Sequence, residues 1–306
     1  MRILITGGAG FIGSNLVKEL VKEHSIIILD NFHTGSYDNL KDIKQQISII
    51  NDSCNNINRP DSNIRKIDCS NIYMIFHLGI PSSTPMYKED PLLVGEAING
   101  TINIFEFAKK HKIEKVIYAS SSSLYNGIRP PHREDMNIRV TDYYTEARLT
   151  IERIAKLYNI LYGIKSAGLR LFSVYGPNET AKGRYANMIS QFLWDMKEGR
   201  SPVIYGDGNQ TRDFTYVKDV VDACLLLMNS DIEHNIFNVG TGTSYSFNDV
   251  IEILNEKLKT DIKPTYIEMP IKNYVGHTLA DITEIKRLGY RPKYTLEKGI
   301  DELIER

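Results

Sequence analysis

Tyr144 and Arg148 stand four residues apart in Asp142-Tyr143-Tyr144-Thr145-Glu146-Ala147-Arg148. In a helix, that spacing sets both on one face. A cation one turn from a phenol favours the phenolate and lowers its pKa. Such a tyrosine, beside a hydroxyl and a nicotinamide ring, is a competent base for an alcohol under oxidation. A hydroxyl is at hand in Ser120-Ser121-Ser122-Ser123-Leu124-Tyr125, directly after an apolar run at 115–119. Taken alone, the first stretch also reads as a solvated Tyr–Arg pair, and the second as a polar loop. Together, both beyond strands of one sheet, they point to a site, because wound sheets bind ligands outside the carboxyl ends of their strands.

A glycine series names what the phenol would face. Gly7, Gly10 and Gly13 recur every three residues after the apolar run Arg2 to Thr6, and helical periodicity follows from Asn15 to Val21. Strand, glycine turn and helix are the parts of a dinucleotide phosphate cradle. Gly7 allows the tight turn, Gly10 the approach of a pyrophosphate, and Gly13 close packing of helix on strand. Open N–H groups and the partial positive charge of the helix start hold the anion. The second strand, Ser25 to Leu29, ends in Asp30. An acid there accepts hydrogen bonds from both ribose hydroxyls and repels a 2′-phosphate, which favours NAD over NADP.

These groups need a scaffold. Strand patterns at 47–50, 73–78, 115–119 and 166–171 alternate with long helical patterns at 92–111 and 143–161. The alternation predicts an α/β chain with a doubly wound parallel sheet. After Gly176-Pro177 the elements shorten, with helices expected near 185–198, 219–229, 246–258, 281–288 and 295–305. Short strands are expected near 202–205, 236–239 and 263–267. The expected division is an NAD-binding Rossmann domain over 1–172, taking back part of 213–240, and an interleaved smaller α/β substrate-binding lobe over 173–306. The 306 residues carry 37 basic and 38 acidic side chains, net −1, with no basic stripe to suggest nucleic acid. Cys54, Cys69 and Cys224 are scattered, so neither a disulfide framework nor a metal site is expected. No leader pattern precedes Arg2, and no apolar run approaches the roughly 18 residues of a membrane span. The expectation is a cytoplasmic protein without a membrane partner.

With these residues in view, the chain resembles the extended short-chain dehydrogenase/reductases, in the NAD-dependent sugar-nucleotide epimerase/dehydratase group. The resemblance runs through Gly7 to Gly13, Asp30-Asn31, Phe76-His77-Leu78, Ser120 to Tyr125, and Leu169-Arg170-Leu171-Phe172-Ser173-Val174-Tyr175-Gly176-Pro177. It continues in Tyr205 to Phe214, Asn238-Val239-Gly240 and Leu279-Ala280-Asp281. It implies that Phe11 and Ile12 back the pyrophosphate, that Asp30 and Asn31 hold the adenosine ribose, and that Asp52 and Ser53 sit at the adenine. Leu78, Gly79, Ile80, Ser82 and Phe172 join Tyr144 and Arg148 around the rest of the cofactor. Tyr144 is the implied base and Ser121 its hydroxyl partner, while Tyr143 is a poorer candidate. Ser121 and Ser122 would meet the sugar, Ser173 the sugar diphosphate, Asn187, Met188 and Tyr205 the nucleotide base, and Arg212 the diphosphate, which its fork suits. The implied activity is inversion at C4 of a UDP-hexose, UDP-glucose or UDP-galactose, through a 4-keto sugar; the alternatives are another sugar-nucleotide epimerase, reductase or dehydratase of the same family, or a catalytically silent NAD-binding regulator. The helices at 92–111 and 143–161 are where relatives dimerise, so a homodimer is implied too.

The chain departs from that family pattern in places. Dehydratases carry Asp-Glu after the catalytic hydroxyl, where this chain has Ser122 and Ser123. A hydroxyl near its ordinary pKa cannot remove a C5 proton, so dehydration is disfavoured. Arg148 replaces a lysine, and Ser173 stands where an asparagine is common. Glu96 and Ala97 stand nearest the place of another asparagine. Ile271 to Tyr274 occupy the place of an Arg-Pro-Gly-Asp segment, with Lys272 a candidate substitute for its arginine.

Overall fold

The structure is a computed structural model, and it describes residues 1–268 and 274–305. Of the segment Ile271 to Tyr274, only Tyr274 is among the described residues, so the expectation placed on Lys272 falls outside them. The first half runs β1 (Arg2–Thr6), α1 (Phe11–Leu20), β2 (Ser25–Asp30), β3 (Ile47–Asn51), β4 (Ile72–His77), α2 (Thr84–Glu89), α3 (Leu93–Lys110), β5 (Lys115–Ser121), α4 (Tyr143–Tyr162) and β6 (Lys165–Leu171). The second half has shorter pieces: β7 (Val174–Tyr175), α5 (Met188–Lys197), β8 (Val203–Tyr205), β9 (Thr211–Arg212), β10 (Thr215–Tyr216), α6 (Val217–Asn229), β11 (His234–Val239), β12 (Tyr245–Ser246), α7 (Phe247–Leu258), β13 (Thr265–Ile267), α8 (Thr283–Arg287) and α9 (Leu296–Ile304).

Seven strands form one parallel sheet in the order β3-β2-β1-β4-β5-β6-β11. The chain starts in the middle and winds outward both ways, which opens a crevice beyond the carboxyl ends of β1 and β4. Strand side chains alternate between the two faces. Ile3, Ile5, Ile26 and Ile28 pack with Leu16 and Val17 of α1 and Val220 and Leu227 of α6. Leu4, Ile27 and Leu29 pack on the other face with Ile104 and Phe105 of α3 and Ala147 and Ile151 of α4. Burial on both faces is why these strands read as unbroken apolar runs. A third cluster joins Phe192 of α5, Phe247 and Leu254 of α7, and Leu296 and Ile300 of α9. Although β11 comes from the second half of the chain, it pairs with β6 in the main sheet.

Local signals set the ends of the elements that matter most. Asp142 caps α4 by accepting the Thr145 N–H at 2.8 Å, and the Thr145 hydroxyl answers the Asp142 N–H at 3.2 Å. This capping box fixes where the helix begins, and hence where Tyr144 points. Gly163, at φ +68°, ends it in the left-handed turn that a residue without a Cβ adopts freely. The helix expected near 185–198 starts only at Met188, because the Asn187 side chain caps it by accepting the Ile189 N–H at 3.0 Å. The short helix α2 had no periodic signal; it starts after Ser83 with Pro85 in its first turn, where a missing N–H costs nothing. Among the described residues, no helix is long and apolar enough to cross a membrane.

Candidate active site

One cleft runs along the carboxyl ends of β1, β2, β4 and β5 and under the segment that follows β6. Its phosphate end is the turn between β1 and α1. Gly7 sits at φ +69°, and its N–H bonds the Leu29 carbonyl at 2.9 Å. A Cβ on Gly13 would lie 2.0 Å from the Gly7 carbonyl oxygen, and one on Gly7 would lie 2.6 Å from the Gly79 nitrogen. No side chain fits at either place, so the N-terminal turn of α1 stays bare for an anion. Gly10, Phe11 and Ile12 line this end.

Asp30 stands beside it at the end of β2, 7 % exposed. Its two oxygens accept the Ala9 and Phe32 N–H groups, each at 2.8 Å. Burial pushes its carboxyl up, and the N–H groups of Phe32, Ala9 and Gly10 pull the other way. Asn31 lines the cleft next to it. Asp52 and Ser53 line the wall after β3, where the Asp52 carboxylate also ties down its loop. It accepts the Ser53 N–H and Asn56 amide on one oxygen and the Ser62 hydroxyl and Asn63 N–H on the other. Burial opposes its charge, but these bonds outweigh it and hold Asp52 below the usual carboxylate range.

Leu78, Gly79, Ile80 and Ser82 form the floor after β4. A buried trio pins that floor. His77 has Nδ1 at 2.8 Å from the Thr6 hydroxyl and Nε2 at 3.1 Å from the Thr101 hydroxyl, while the Thr6 oxygen also accepts the Gly79 N–H at 3.0 Å. His77 therefore packs inside, as its apolar neighbours in sequence suggest, and burial first and the Arg148 charge second push it down to about 3.

The far end of the cleft holds Ser120 to Ser123, Tyr144 and Arg148. Ser121 Oγ accepts the Ser123 N–H at 3.1 Å, which leaves its own hydrogen free to donate. Tyr144 is 6 % exposed, edge-on to Tyr87 with ring centroids 5.3 Å apart. Its neighbour Tyr143 is 54 % exposed and does not line the cleft. The Arg148 guanidinium lies over the Tyr144 ring, 4.9 Å from its centroid. Its Nη1 donates to the Ala119 carbonyl at 2.9 Å and its Nη2 to the Pro81 carbonyl at 2.7 Å. It thus ties the end of β5 to the floor loop, something a lysine's single ammonium cannot do in the same fork geometry.

A buried network sets the register of α4 on the sheet. Arg170 of β6 grips Glu152 of α4 through Nε at 2.9 Å and Nη2 at 2.7 Å. Ser120 donates to Glu152 at 2.6 Å. Arg170 Nη1 reaches the Tyr125 hydroxyl at 2.7 Å, and that hydroxyl donates to Asn238 of β11 at 2.8 Å. These bonds put the serine run of β5 and the Tyr144 face of α4 on the same cleft. No spacing rule in the sequence marked Glu152, because its partners come from other strands.

Some expected residues lie elsewhere. Phe172 is fully buried against Tyr125 and His132, off the cleft wall, because side chains alternate and its neighbours Leu171 and Ser173 take the cleft side. Ser173 does so at φ +31°, a conformation uncommon for a side-chain-bearing residue. Asn187 lines the cleft while capping α5, but Met188 packs against the third apolar cluster. Tyr205, on β8, is also absent from the cleft wall, and its carbonyl accepts the Gln210 amide at 2.7 Å. Arg212 pairs with neither Asp213 nor Asp219. Its donors go to the carbonyls of Thr211, Val275 and Gly276 at 2.6–2.9 Å, between the rings of Phe247 and Tyr274. Lys182 and Tyr185 line the cleft without having been expected there, and Leu171, quoted in the sequence only as part of a motif, lines it too. Lys182 sits in a polar stretch that carries no periodic signal, and Tyr185 lies in the turn Thr180–Tyr185, ahead of the Asn187 cap, where the helix near 185–198 was expected to begin.

The cleft can take a dinucleotide along its glycine end and an alcohol at its serine end. Residues 3–240 match the model of the NAD dependent epimerase/dehydratase family. A putative UDP-glucose 4-epimerase of Methanocaldococcus jannaschii is 35% identical, over 99% of this chain and 97% of that one. The solved UDP-N-acetylglucosamine 4-epimerase of Methanobrevibacter ruminantium is 31% identical, with a TM-score of 0.92 over 99% of this chain and 97% of that one. UDP-glucose 4-epimerase of Thermotoga maritima, solved with UDP-glucose, is 29% identical, with a TM-score of 0.92 over 100% and 98%. With the glycine cradle and the acid at the end of β2, these matches identify the chain as an enzyme of the NAD-dependent sugar-nucleotide epimerase/dehydratase family, with NAD as its cofactor.

Proposed function

We propose that this enzyme inverts C4 of a UDP-hexose, interconverting UDP-glucose and UDP-galactose through a 4-keto sugar. NAD, when bound, supplies a reversible acceptor for the hydrogen on C4. Tyr144 takes the proton of the 4-hydroxyl and later returns it. Ser121 donates a hydrogen bond to the same oxygen and so steadies it as its charge changes. Arg148 holds Tyr144 by stacking on its ring and bracing the loops on either side. Gly7 to Gly13 with Phe11 and Ile12 hold the cofactor's diphosphate, Asp30 and Asn31 its adenosine ribose, and Asp52 and Ser53 its adenine. Ser122, Ser173 and Asn187 face the sugar nucleotide. Arg212 reaches its diphosphate only by exchanging the Val275 and Gly276 carbonyls for phosphate oxygens.

The observation that carries this reading is that Ser120 to Ser123 and Tyr144 line the cleft together, with no carboxylate directly after Ser121. Hydroxyls there allow proton exchange at one carbinol but not elimination of water from the next carbons. A second reading, a UDP-N-acetylhexosamine substrate, draws on the relative from Methanobrevibacter ruminantium. Leu157, Ile160 and Leu161 are exposed on α4, and we propose that this helix and α3 form the interface of a cytoplasmic homodimer. The test is incubation with UDP-glucose, UDP-galactose and their N-acetyl forms without added reductant. A C4 epimer is expected. A 4-keto-6-deoxy product, or no interconversion of any of the four, overturns the proposal.

A further inference from the structure

A dinucleotide brings two phosphate charges to a cradle made of backbone. Among the described residues that line the cleft, Arg148 and Lys182 are the only lysine or arginine. Arg148 lies at the reactive end and is committed to two carbonyls. Lys182 comes from the opposite side, in the short turn Thr180–Tyr185 after β7. Its ammonium stands 5.4 Å from the ring centroid of Phe11, the first residue of α1. That is the turn whose free N–H groups face an anion.

Lys182 is held there from two directions. Behind it, the Glu179 carboxylate, 1 % exposed, pairs with it at 3.1 Å. Glu179 cannot swing away, because it also accepts the Asn187 N–H at 2.7 Å and the Ser190 hydroxyl at 2.6 Å. Along the chain, the segment 177–178 is strapped to the first turns of the dinucleotide cradle. Asn15 donates to the Pro177 carbonyl at 3.0 Å, Asn178 to the Ser14 hydroxyl at 3.0 Å, and Asn39 to the Asn178 carbonyl at 3.3 Å. An ion pair that served only to stabilise its own turn would need none of these bonds to α1 and to Asn39. With one carboxylate partner, the ammonium keeps two further N–H donors.

We propose that Lys182 is a ligand of the NAD diphosphate, supplied from across the cleft, and that the strap at 177–182 holds the cofactor between α1 and the second half of the chain. Glu179 is then a positioning residue for that cation. The proposal rests on NAD being the cofactor and is independent of which sugar is turned over. An enzyme that regenerates NAD within each cycle gains from slow cofactor release, which a bridging cation supplies.

The test measures exchange of bound NAD for isotope-labelled NAD in the purified holoenzyme, with ADP-ribose, adenosine and UDP binding measured alongside. Lys182→Met and Lys182→Gln are expected to speed NAD exchange about tenfold, the lower end for a hydrogen bond to a charged group. They should weaken ADP-ribose by a similar factor and leave adenosine and UDP unchanged. Lys182→Arg should restore most of the loss. Asn178→Gly, which frees the strap from Ser14, suits the φ of +72° there and keeps the ammonium, should speed exchange by about threefold, since one neutral hydrogen bond is lost. Unchanged NAD exchange in both Lys182→Met and Lys182→Gln overturns the proposal. Equal loss of adenosine and ADP-ribose also overturns it, because the effect would then not lie at the diphosphate. Weakened UDP with unchanged NAD exchange overturns it too, by assigning the cation to the substrate.

Discussion

His77 is held neutral at the centre of the sheet, and acid should expose the cost. In the unfolded chain it takes up a proton as pH falls through 6.5, whereas folded His77 does so only near 3. Between those values the unfolded chain binds one more proton, so stability falls with falling pH, at ~1.4 kcal/mol per pH unit. At about pH 4.5, two units into that window, the loss assigned to His77 is roughly 2.7 kcal/mol. Burial is complete, with His77 at 0 % exposure, so solvent screening does not reduce it. Urea unfolding of the parent and of His77→Asn, each at neutral pH and at about pH 4.5, isolates the effect, because all other titrating groups cancel in the double difference. His77→Asn is less stable at neutral pH, having lost fitted contacts to Thr6 and Thr101, but should lose roughly 2.7 kcal/mol less on acidification. Equal acid losses in the two proteins would refute the reasoning.

Three further outcomes are expected. Tyr144→Phe should lower turnover by roughly 10²–10⁴-fold while the bound NAD per chain stays constant, read from kcat and from NAD released on denaturation. Gly13→Ala should purify without NAD, since its Cβ would meet the Gly7 carbonyl at 2.0 Å; Gly95→Ala, with nothing within 4 Å, should keep it. Arg170→Leu should cost about 3–5 kcal/mol in urea unfolding by stranding buried Glu152, and adding Glu152→Leu should recover part of that loss.

Much of the molecule was legible because the signals are short-range. A period of two or of 3.6 residues, a glycine that must lack a Cβ, and a cap three residues from its partner are all written within one turn or one strand. They suffice for the order of strands and helices, for the cradle from Gly7 to Gly13, and for Asp30 at the end of β2. The side that each residue of an irregular segment shows to the cleft was not legible. Leu171 and Ser173 face it and Phe172 does not, a matter of alternation at a strand end that a motif read as a block conceals. Arg212 is drawn to the carbonyls of residues 275 and 276, more than sixty positions away. The pairing of Glu152 with Arg170 and Ser120, and the strap that brings Lys182 over Phe11, likewise join segments with no shared periodicity. Hydrogen bonds and charge pairs act through space, and their partners become neighbours only after the sheet has closed.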